Sequence, residues 1–372
     1  MKHLLIDGTT ISCQTDGLSQ YILQVLLHWE CASDYTYTLL VRPQACPKAY
    51  LQLLQEKGFH IEEVHIAPIG PLRDIQFAYY LFTHRQFDAA FIPSNQYPLA
   101  LHLPTVYTIH DLIYEQFPEQ LGRWKKLKRW YLRWVTHVGL KRARQVVAVS
   151  QYTRNAIVKH HGKQFADKIQ VIAEGWEHLL SYPNDTLTLP AKLPFKQYIL
   201  YVGSSREHKN WGRLIQAIQR CYPLLPEDWG FVFIGNTTML SSKYQRAIDH
   251  INRQRPIIQL TGWQDDQSLA NYYRHAQALI FPSLSEGFGL PVLEAYFYRL
   301  PLLLSNQTAL PEVAGDAAIY FDPYDVEDMA KTIIDFVHTP NHDALILRQT
   351  QQLEKYSWKK TTQQIMALLH LL

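Results

Sequence analysis

Two carboxylates flank a glycine turn in the segment Glu286-Gly-Phe-Gly-Leu-Pro-Val-Leu-Glu294. Proline suits the first positions of a helix, so a helix is expected to begin at Leu290–Pro291. Glycines before it, Gly289 among them, let a backbone come close to a ligand, and a helix start offers N–H groups to an anion. Glu286 then stands in the loop and Glu294 in the first turns of the helix, on either side of that anion. Carboxylates so placed can accept hydrogen bonds from hydroxyls flanking a phosphate, which describes a sugar at one end and a ribose at the other. The same spacing also allows a plainer reading, a helix-dipole carboxylate at 294 and a solvated loop residue at 286.

Two further turns carry chemistry-bearing residues. Gly203-Ser-Ser-Arg206-Glu-His208-Lys209-Asn210 follows a strand pattern and precedes a helical one, and Arg206 and Lys209 at a helix start can neutralise a pyrophosphate. The spacing is not that of a Walker A loop. Asp16-Gly17-Leu18-Ser19 enters the first helical pattern; Gly17 can let a substrate lie against the backbone, and is equally an ordinary helix-start glycine. His110-Asp111, after another strand of the same region, gives it a strand-end site of its own, although seventeen histidines make any single one weak by itself. There is no HExxH, no Cys/His cluster of metal spacing, no GxSxG and no GxGxxG, which counts against zinc enzymes, Ser/Cys hydrolases and typical NAD enzymes.

These turns must be held by something. Short apolar, β-branched runs alternate with helical periods: His3–Asp7, Tyr37–Val41, Ala89–Pro93, Val106–His110, Gln145–Val149 and Ile169–Ile172 in the first half. Helical patterns run at Leu18–Glu30, Leu72–His84, Trp124–Leu140 and Tyr152–His161. Ser181–Pro194, with three prolines, reads as a linker, and the alternation restarts at Tyr198–Gly203, Phe231–Gly235, Ile257–Thr261, Ala278–Phe281, Pro301–Ser305 and Ala318–Phe321. Non-alternating strands separated by helices imply buried parallel sheets, so the expected α/β architecture is two tandem doubly wound domains, at 1–180 and 195–350, with a terminal amphipathic helix at 357–372. In such sheets ligands bind beyond the carboxyl ends of the strands, where all three turns lie.

At 372 residues, 47% hydrophobic and 19% charged, the chain is no disordered or low-complexity protein. Cys13, Cys31, Cys46 and Cys221 form no framework, no signal-peptide core follows Met1, and no apolar run is long enough to span a bilayer. These features point to a soluble protein of the cytosol. The net charge of +3 hides twelve Lys/Arg and no Asp or Glu from Gln120 to Ala166, on a remainder that is acidic in balance.

Taken together the motifs resemble the family 4 glycosyltransferases of the GT-B fold. The most specific match is Phe281-Pro-Ser-Leu-Ser-Glu286-Gly-Phe-Gly-Leu-Pro-Val-Leu-Glu294-Ala, which reproduces the family's E-x7-E element. Leu310-Pro-Glu312-Val-Ala-Gly315-Asp316, Tyr201-Val-Gly203, Lys209-Asn210, Phe233-Ile-Gly235, Thr261-Gly262, Val149-Ser150 and His110-Asp111 also follow the family pattern. The resemblance covers nearly the whole chain, most strongly residues 198–330. It implies two Rossmann-like domains facing a cleft, with 357–372 packing back on the first, and a retaining, metal-free transfer of a hexose, mannose- or glucose-like, from a nucleotide-diphosphate sugar. The implied acceptor is a glycan or lipid-linked saccharide in cell-surface polysaccharide synthesis.

By the same resemblance Glu286 binds the donor sugar, Glu294 the ribose, and Lys209 with Arg206 the diphosphate. The backbone of the Gly203 turn and of Gly289, Leu290 and Val292 supports the nucleotide, with Gly17 near the donor phosphate and His110 near the transferred sugar. Three departures stand out. His208 occupies a place often held by Arg, the first glycine turn is reduced to Asp16-Gly17-Leu18, and Glu174-Gly175-Trp176-Glu177 replaces a segment commonly like Asn-Gly-Val-Asp. Other classes remain open: an epimerase or phosphorylase on the same fold, or a non-catalytic protein binding membrane or nucleic acid. Intact glutamates and cations favour catalysis.

The basic segment 123–144 has its own reading. On a helix, Trp124, Leu127, Tyr131 and Val135 share one face, leaving a basic surface that carries Trp130 and Trp134. Either the cations are simply solvated, or the helix is an interfacial patch that holds the enzyme against anionic lipid at the inner face of a membrane. No recognised nucleic-acid module accompanies it, so nucleic acid is not expected as a partner.

Overall fold

The structure, a computed structural model, describes residues 2–13, 16–84, 86–181, 193–236, 240–339 and 341–372. The linker read at Ser181–Pro194 falls, for 182–192, outside the described residues. The chain divides into two compact units, Met1–Gly175 with Ser357–Leu372, and Trp176–Tyr356.

The first unit runs β1 (Lys2–Asp7), α1 (Gly17–Leu27), β2 (Tyr35–Val41), α2 (Lys48–Glu56), β3 (Phe59–Glu63), α3 (Pro71–Thr83), β4 (Ala89–Ile92), β5 (Thr105–Ile109), α4 (Ile113–Gln116), α5 (Lys125–Arg142), β6 (Gln145–Ala148), α6 (Gln151–His161) and β7 (Ile169–Val171). Its described strands form one parallel sheet in the order β3-β2-β1-β4-β5-β6-β7. Residues 146–148, Val-Val-Ala, and 89–92, Ala-Ala-Phe-Ile, are unbroken buried apolar runs, as a sheet covered on both faces requires. The edge strand β3 is absent from the strands read in the sequence. Its Phe-His-Ile-Glu-Glu is half polar, as an edge strand tolerates, so no apolar run marks it.

The second unit runs β8 (Gln197–Val202), α7 (Trp211–Cys221), β9 (Trp229–Ile234), α8 (Ser242–Gln254), β10 (Ile258–Gly262), α9 (Asp266–His275), β11 (Ala278–Phe281), α10 (Leu290–Phe297), β12 (Leu302–Ser305), α11 (Leu310–Ala314), β13 (Ile319–Phe321), α12 (Val326–His338) and α13 (Asp343–Leu353). Its described strands are again all parallel, in the order β10-β9-β8-β11-β12-β13. The last helix, α14 (Trp358–His370), belongs to the first unit. There Trp358 is fully buried against Tyr21 of α1, and Thr361 and Thr362 donate to the carbonyls of Ala173 and Val25.

In each sheet the strand order reverses once, between β1 and β4 and between β8 and β11. The loops leaving the strands on either side of such a reversal diverge and open a crevice. In the second unit those loops are the Gly203–Asn210 and Pro282–Gly289 segments; in the first they follow Asp7 and Ile92.

The basic segment keeps only part of its expected orientation: Tyr131 and Val135 pack inward, Trp124 and Leu127 do not. Gly122, at φ 72°, breaks the chain just before α5, so Trp124 caps the helix instead of continuing it. Val135, Thr136, Gly139 and Leu140 face the core, while Trp124 and Leu127, expected to pack inward, are exposed with Trp130 and Trp134. Leu127, Trp130 and Trp134 follow one another at steps of three and four, which is the helical period of a single stripe.

One close approach fixes the second crevice. Gly235, at φ 142°, lies so near the preceding turn that a Cβ there would sit 2.1 Å from the carbonyl oxygen of Gly203. Gly235→Ala should therefore lower the unfolding free energy by at least about 2 kcal/mol, combining a left-handed φ with a backbone collision. A melting temperature equal to the parent's would show that the Gly203 turn is free to move aside.

Candidate functional site

The two loops at the second unit's reversal are stitched together by main-chain and side-chain bonds. Leu284 N donates to His208 O at 2.7 Å. Asn210, held at φ 63°, turns its buried amide so that Nδ2 donates to the carbonyls of Pro282 (3.1 Å) and Pro323 (2.8 Å). One side chain thus ties the loops after β8, β11 and β13. Glu286 N donates to Oγ1 of Thr308, itself at a positive φ of 59°, which adds the loop after β12. Neither Asn210 nor Thr308 stood among the candidate site residues. Positive φ at a non-glycine residue is a tertiary outcome with no local sequence signal beyond a mild preference of Asn.

Lys209 and Glu286 meet in that frame. Nζ of Lys209 donates to Oε1 of Glu286 at 2.7 Å, with only 18% and 11% of the two side chains exposed. The ammonium also lies over the Phe281 ring, 5.2 Å from its centroid. Burial alone pushes the Glu286 carboxyl up, but the adjacent Lys209 outweighs it and holds the group below its ordinary value. Glu286 is therefore ionised, and the pair is compact and largely shielded from water. Arg206 is exposed at the start of the same turn. His208 is not a substitute cation: it is buried, and burial pushes its imidazole down to about 4, so it is neutral at pH 7 and contributes a carbonyl to loop closure.

The helix start falls where the sequence puts it. Gly289, at φ 108°, is the residue before Leu290, and Pro291 occupies the first turn. The donor set is narrower than expected, because Pro291 has no N–H and the Val292 amide closes onto Gly289 O at 2.9 Å. The turn can thus offer an anion the amides of Gly289 and Leu290. Glu294, further along α10, does not join the Lys209 cluster. Its Oε2 accepts from the Tyr273 hydroxyl, and Tyr273 stacks on Tyr298 at 5.2 Å. Burial pushes the Glu294 carboxyl up to about 7, opposed by the Tyr273 bond and reinforced by Asp266. Two carboxylates of one motif therefore sit in opposite electrostatic settings.

In the first unit, Gly17 begins α1 and is exposed, with Asp16 capping the helix by accepting from Ser19 N at 2.9 Å. Tyr21 of α1 meets the His110 ring edge-on at 4.5 Å. Nε2 of His110 lies 2.9 Å from Pro93 O, which can only accept, so Nε2 carries a proton. Nδ1 faces the buried carboxyl of Glu174 at 3.6 Å. Burial raises the Glu174 carboxyl, partly offset by His110. Glu174 was read only as a departure from a family segment; its pairing with His110, far away in sequence, is visible only in three dimensions. Among the described residues no cluster of three or more His, Cys, Asp or Glu is set to hold a metal ion.

Comparison with known proteins bears on the family and the fold. Residues 68–177 match the family model described as Glycosyltransferase Family 4, and residues 189–353 that described as Glycosyl transferases group 1, together most of the chain. The O-antigen chain mannosyltransferase B of Escherichia coli is 29% identical over 268 residues, covering 70% of this chain and 68% of that protein. The serotype-specific mannosyltransferase WbdA of Escherichia coli is 28% identical over 326 residues, 80% of this chain but 37% of WbdA, so the chain spans well under half of that relative. Among solved structures, HepE of Anabaena in complex with UDP and glucose is similar with a TM-score of 0.75 at 16% identity, over the whole of both chains, a likeness of fold.

Two outcomes follow from the electrostatics. Lys209→Met leaves the mostly buried Glu286 carboxylate without its counter-ion and should lower the unfolding free energy by roughly 2 kcal/mol, with Glu286→Gln in the same chain recovering most of the loss. Denaturant titration of parent, single and double variants checks this; a fully stable single variant contradicts it. For Glu294 the folded-state value is raised from 4.5 to about 7, so the stabilisation of its protonated form is complete below about pH 4.5 and is lost as pH rises through 7. Glu294→Gln should abolish that decline, making the variant more stable than the parent by on the order of 3 kcal/mol at pH 9 and little different at pH 4. Parallel stability–pH curves for the two proteins would refute it.

Proposed function

The chain belongs to the family 4 glycosyltransferases and has their GT-B fold, and from that premise we propose that it moves a hexosyl group, mannose- or glucose-like, from a nucleotide-diphosphate sugar to a glycan or lipid-linked saccharide in the synthesis of a surface polysaccharide. The O-antigen mannosyltransferase relatives support the mannosyl and polysaccharide parts of this reading. HepE, solved with UDP and glucose, supports a nucleotide-sugar donor.

The observation that carries the reading is the Lys209–Glu286 pair at the loops of the second unit's strand reversal, in the loop that leads into the α10 start. A cation, a carboxylate and free helix-start amides suit a diphosphate joined to a polyhydroxylated ring. Lys209 and Arg206 take the diphosphate, with the amides of Gly289 and Leu290. Gly203 and Val292 shape the walls, Glu286 accepts from sugar hydroxyls, and Glu294 accepts from the ribose. From the first unit we assign Gly17 to the donor phosphate and His110 to the transferred sugar.

In the transfer the bond between the anomeric carbon and the diphosphate oxygen breaks and one to the acceptor oxygen forms, with the acceptor proton lost to the departing phosphate. Negative charge grows on the diphosphate as this happens. Preorganised cations and amides stabilise that charge in a site shielded from water, the work a divalent metal does elsewhere, so we assign no cofactor and no metal, and retention of anomeric configuration. The basic segment 123–144 is the surface we assign to an anionic membrane.

Nucleotide release from a panel of UDP- and GDP-hexoses, with and without saccharide acceptors, tests the reading. Release should depend on the acceptor and persist in EDTA, and Lys209→Ala should lower kcat by about 10²–10³-fold, as loss of one preorganised charge stabiliser does. Acceptor-independent turnover would point to an epimerase, and activity lost in EDTA but restored by manganese or magnesium would overturn the metal-free assignment.

A further inference from the structure

Helix α3 carries two apolar stripes. One faces inward: Phe77 and Tyr80 enter the core, and Arg73 reaches through it to the buried carboxylate of Asp7 and to Gln96 O. The other faces solvent: Leu72, Ile75, Tyr79 and Phe82, at steps of three, four and three, are between 58% and 71% exposed. A surface helix needs one apolar stripe to pack, and the second is left over. Because Arg73 and Phe77 pin the inner face, the helix cannot roll to bury it.

That stripe has a neighbour. Connections β3 to β4 and β5 to β6 run in the same direction across the sheet, so right-handed crossovers put α3 and α5 on one face. Both helices feed one core cluster, through Phe77 and Tyr80 on the one and Val135 and Leu140 on the other. Tyr131 of α5 donates to Oδ2 of Asp74 of α3 at 2.5 Å. Asp74 and Tyr131 each sit on the flank of their helix, about a quarter turn from its inward face, so the helices lie side by side and their outward stripes point the same way. On α5 that stripe is Leu127, Trp130 and Trp134, the two indoles stacked at 6.0 Å. With Ile69 and Trp124 at the helix ends, this surface holds nine of the seventeen exposed large apolar side chains among the described residues. Such concentration is not the single scattered exposure of an ordinary surface.

The charges beside it say what covers it. Arg129 and Arg133 are turned onto the buried carboxylate of Glu115, and Lys125 pairs with Glu119. Arg123, Lys126 and Lys128 remain exposed along the aromatic stripe, and no Asp or Glu occurs from Gln120 to Ala166. Two copies joined here about a two-fold axis would bring the exposed cations of each rim close to those of the other. An anionic bilayer supplies both halves of the complement, phosphates for the cations and acyl chains for the stripe, and Trp and Tyr are the side chains that settle at headgroup depth.

We infer that α3 and α5 together form a monotopic membrane-docking face, in which the apolar stripe of α3 inserts and the cations of α5 hold anionic headgroups. This deepens the assignment of segment 123–144 to a membrane and rests on it, and it adds α3, which has no excess of basic residues and which charge alone would not bring to the membrane.

Sedimentation with phosphatidylcholine vesicles of increasing phosphatidylglycerol content, at low and high salt, tests it on the full chain. Binding should rise with phosphatidylglycerol, weaken with salt without vanishing, and fall about tenfold in Ile75→Ser/Tyr79→Ser, whose exposed positions leave the fold and melting temperature intact. Quenching of tryptophan fluorescence by brominated acyl chains should be lost when Trp124, Trp130 and Trp134 are all replaced by Phe. An α3 variant that binds like the parent, or binding abolished by salt, would leave only electrostatic adhesion through α5 and overturn the inserted face. So would a dimer in ultracentrifugation that the α3 variant dissociates, which would assign the stripe to a second copy. Transfer to a water-soluble acceptor should be the same for parent and α3 variant, so failure of the docking face is separable from failure of the transferase reading.

Discussion

A single constraint governs the second unit: the loops after β8 and β11 leave the sheet where its strand order reverses, and they must close on each other without water filling the gap. The Lys209–Glu286 pair sits in that closure and depends on every part of it. Asn210, next in the chain, takes a left-handed conformation so that its amide can reach two proline carbonyls, which cannot be satisfied by their own strands' ladders at that point. That twist aims Lys209 at the neighbouring loop. Gly235 gives the Gly203 turn room by having no side chain, and Phe281 offers its ring face to the ammonium. An ion pair so placed is poor as a source of stability, since desolvation offsets most of its attraction. It is retained because charge held ready in a dry site interacts strongly with a charged ligand.

The two glutamates of the E-x7-E element illustrate how environment divides chemically identical groups. Glu286 has a lysine at 2.7 Å and remains ionised despite burial. Glu294 has a tyrosine hydroxyl and an acidic neighbour, and burial prevails. A hydroxyl donor compensates a carboxylate far less than an ammonium does, so the same loss of water lowers one group's acidity and leaves the other's intact. His208 falls on the same principle: packed under the loop, it loses more to burial than the nearby Glu286 charge returns, and it gives up its charge.

In the first unit the same topology produces a different outcome. The reversal between β1 and β4 carries the buried Asp7–Arg73 pair, which anchors α3, while the loop after β5 carries His110 with Glu174 and Tyr21. Anchoring α3 by its inner face leaves its second stripe outward, and α5 lies beside it with its indoles outward too. Among the described residues no helix is long and apolar enough to cross a bilayer.

Periodicity alone specified two doubly wound sheets, because parallel strands covered on both faces must be apolar throughout and helices between them must repeat at 3.6 residues. Motif spacing likewise placed Lys209, Glu286 and Gly289 in loops beyond strand ends and Glu294 in the helix that follows, since a glycine, a proline and a charged residue at a helix start act through local backbone geometry. The edge strand β3 escaped because edge strands tolerate polar residues, and of the inward face read for α5, Tyr131 and Val135 do pack on the core while Leu127 is exposed and the kink at Gly122 takes Trp124 out of the helical phase. What only tertiary structure decided were the partners: Lys209 with Glu286, Tyr273 with Glu294, His110 with Glu174, and α3 beside α5. Each joins residues brought together by strand order, and protonation follows from which neighbour replaces the lost water, a quantity set by distance in space and not by spacing along the chain.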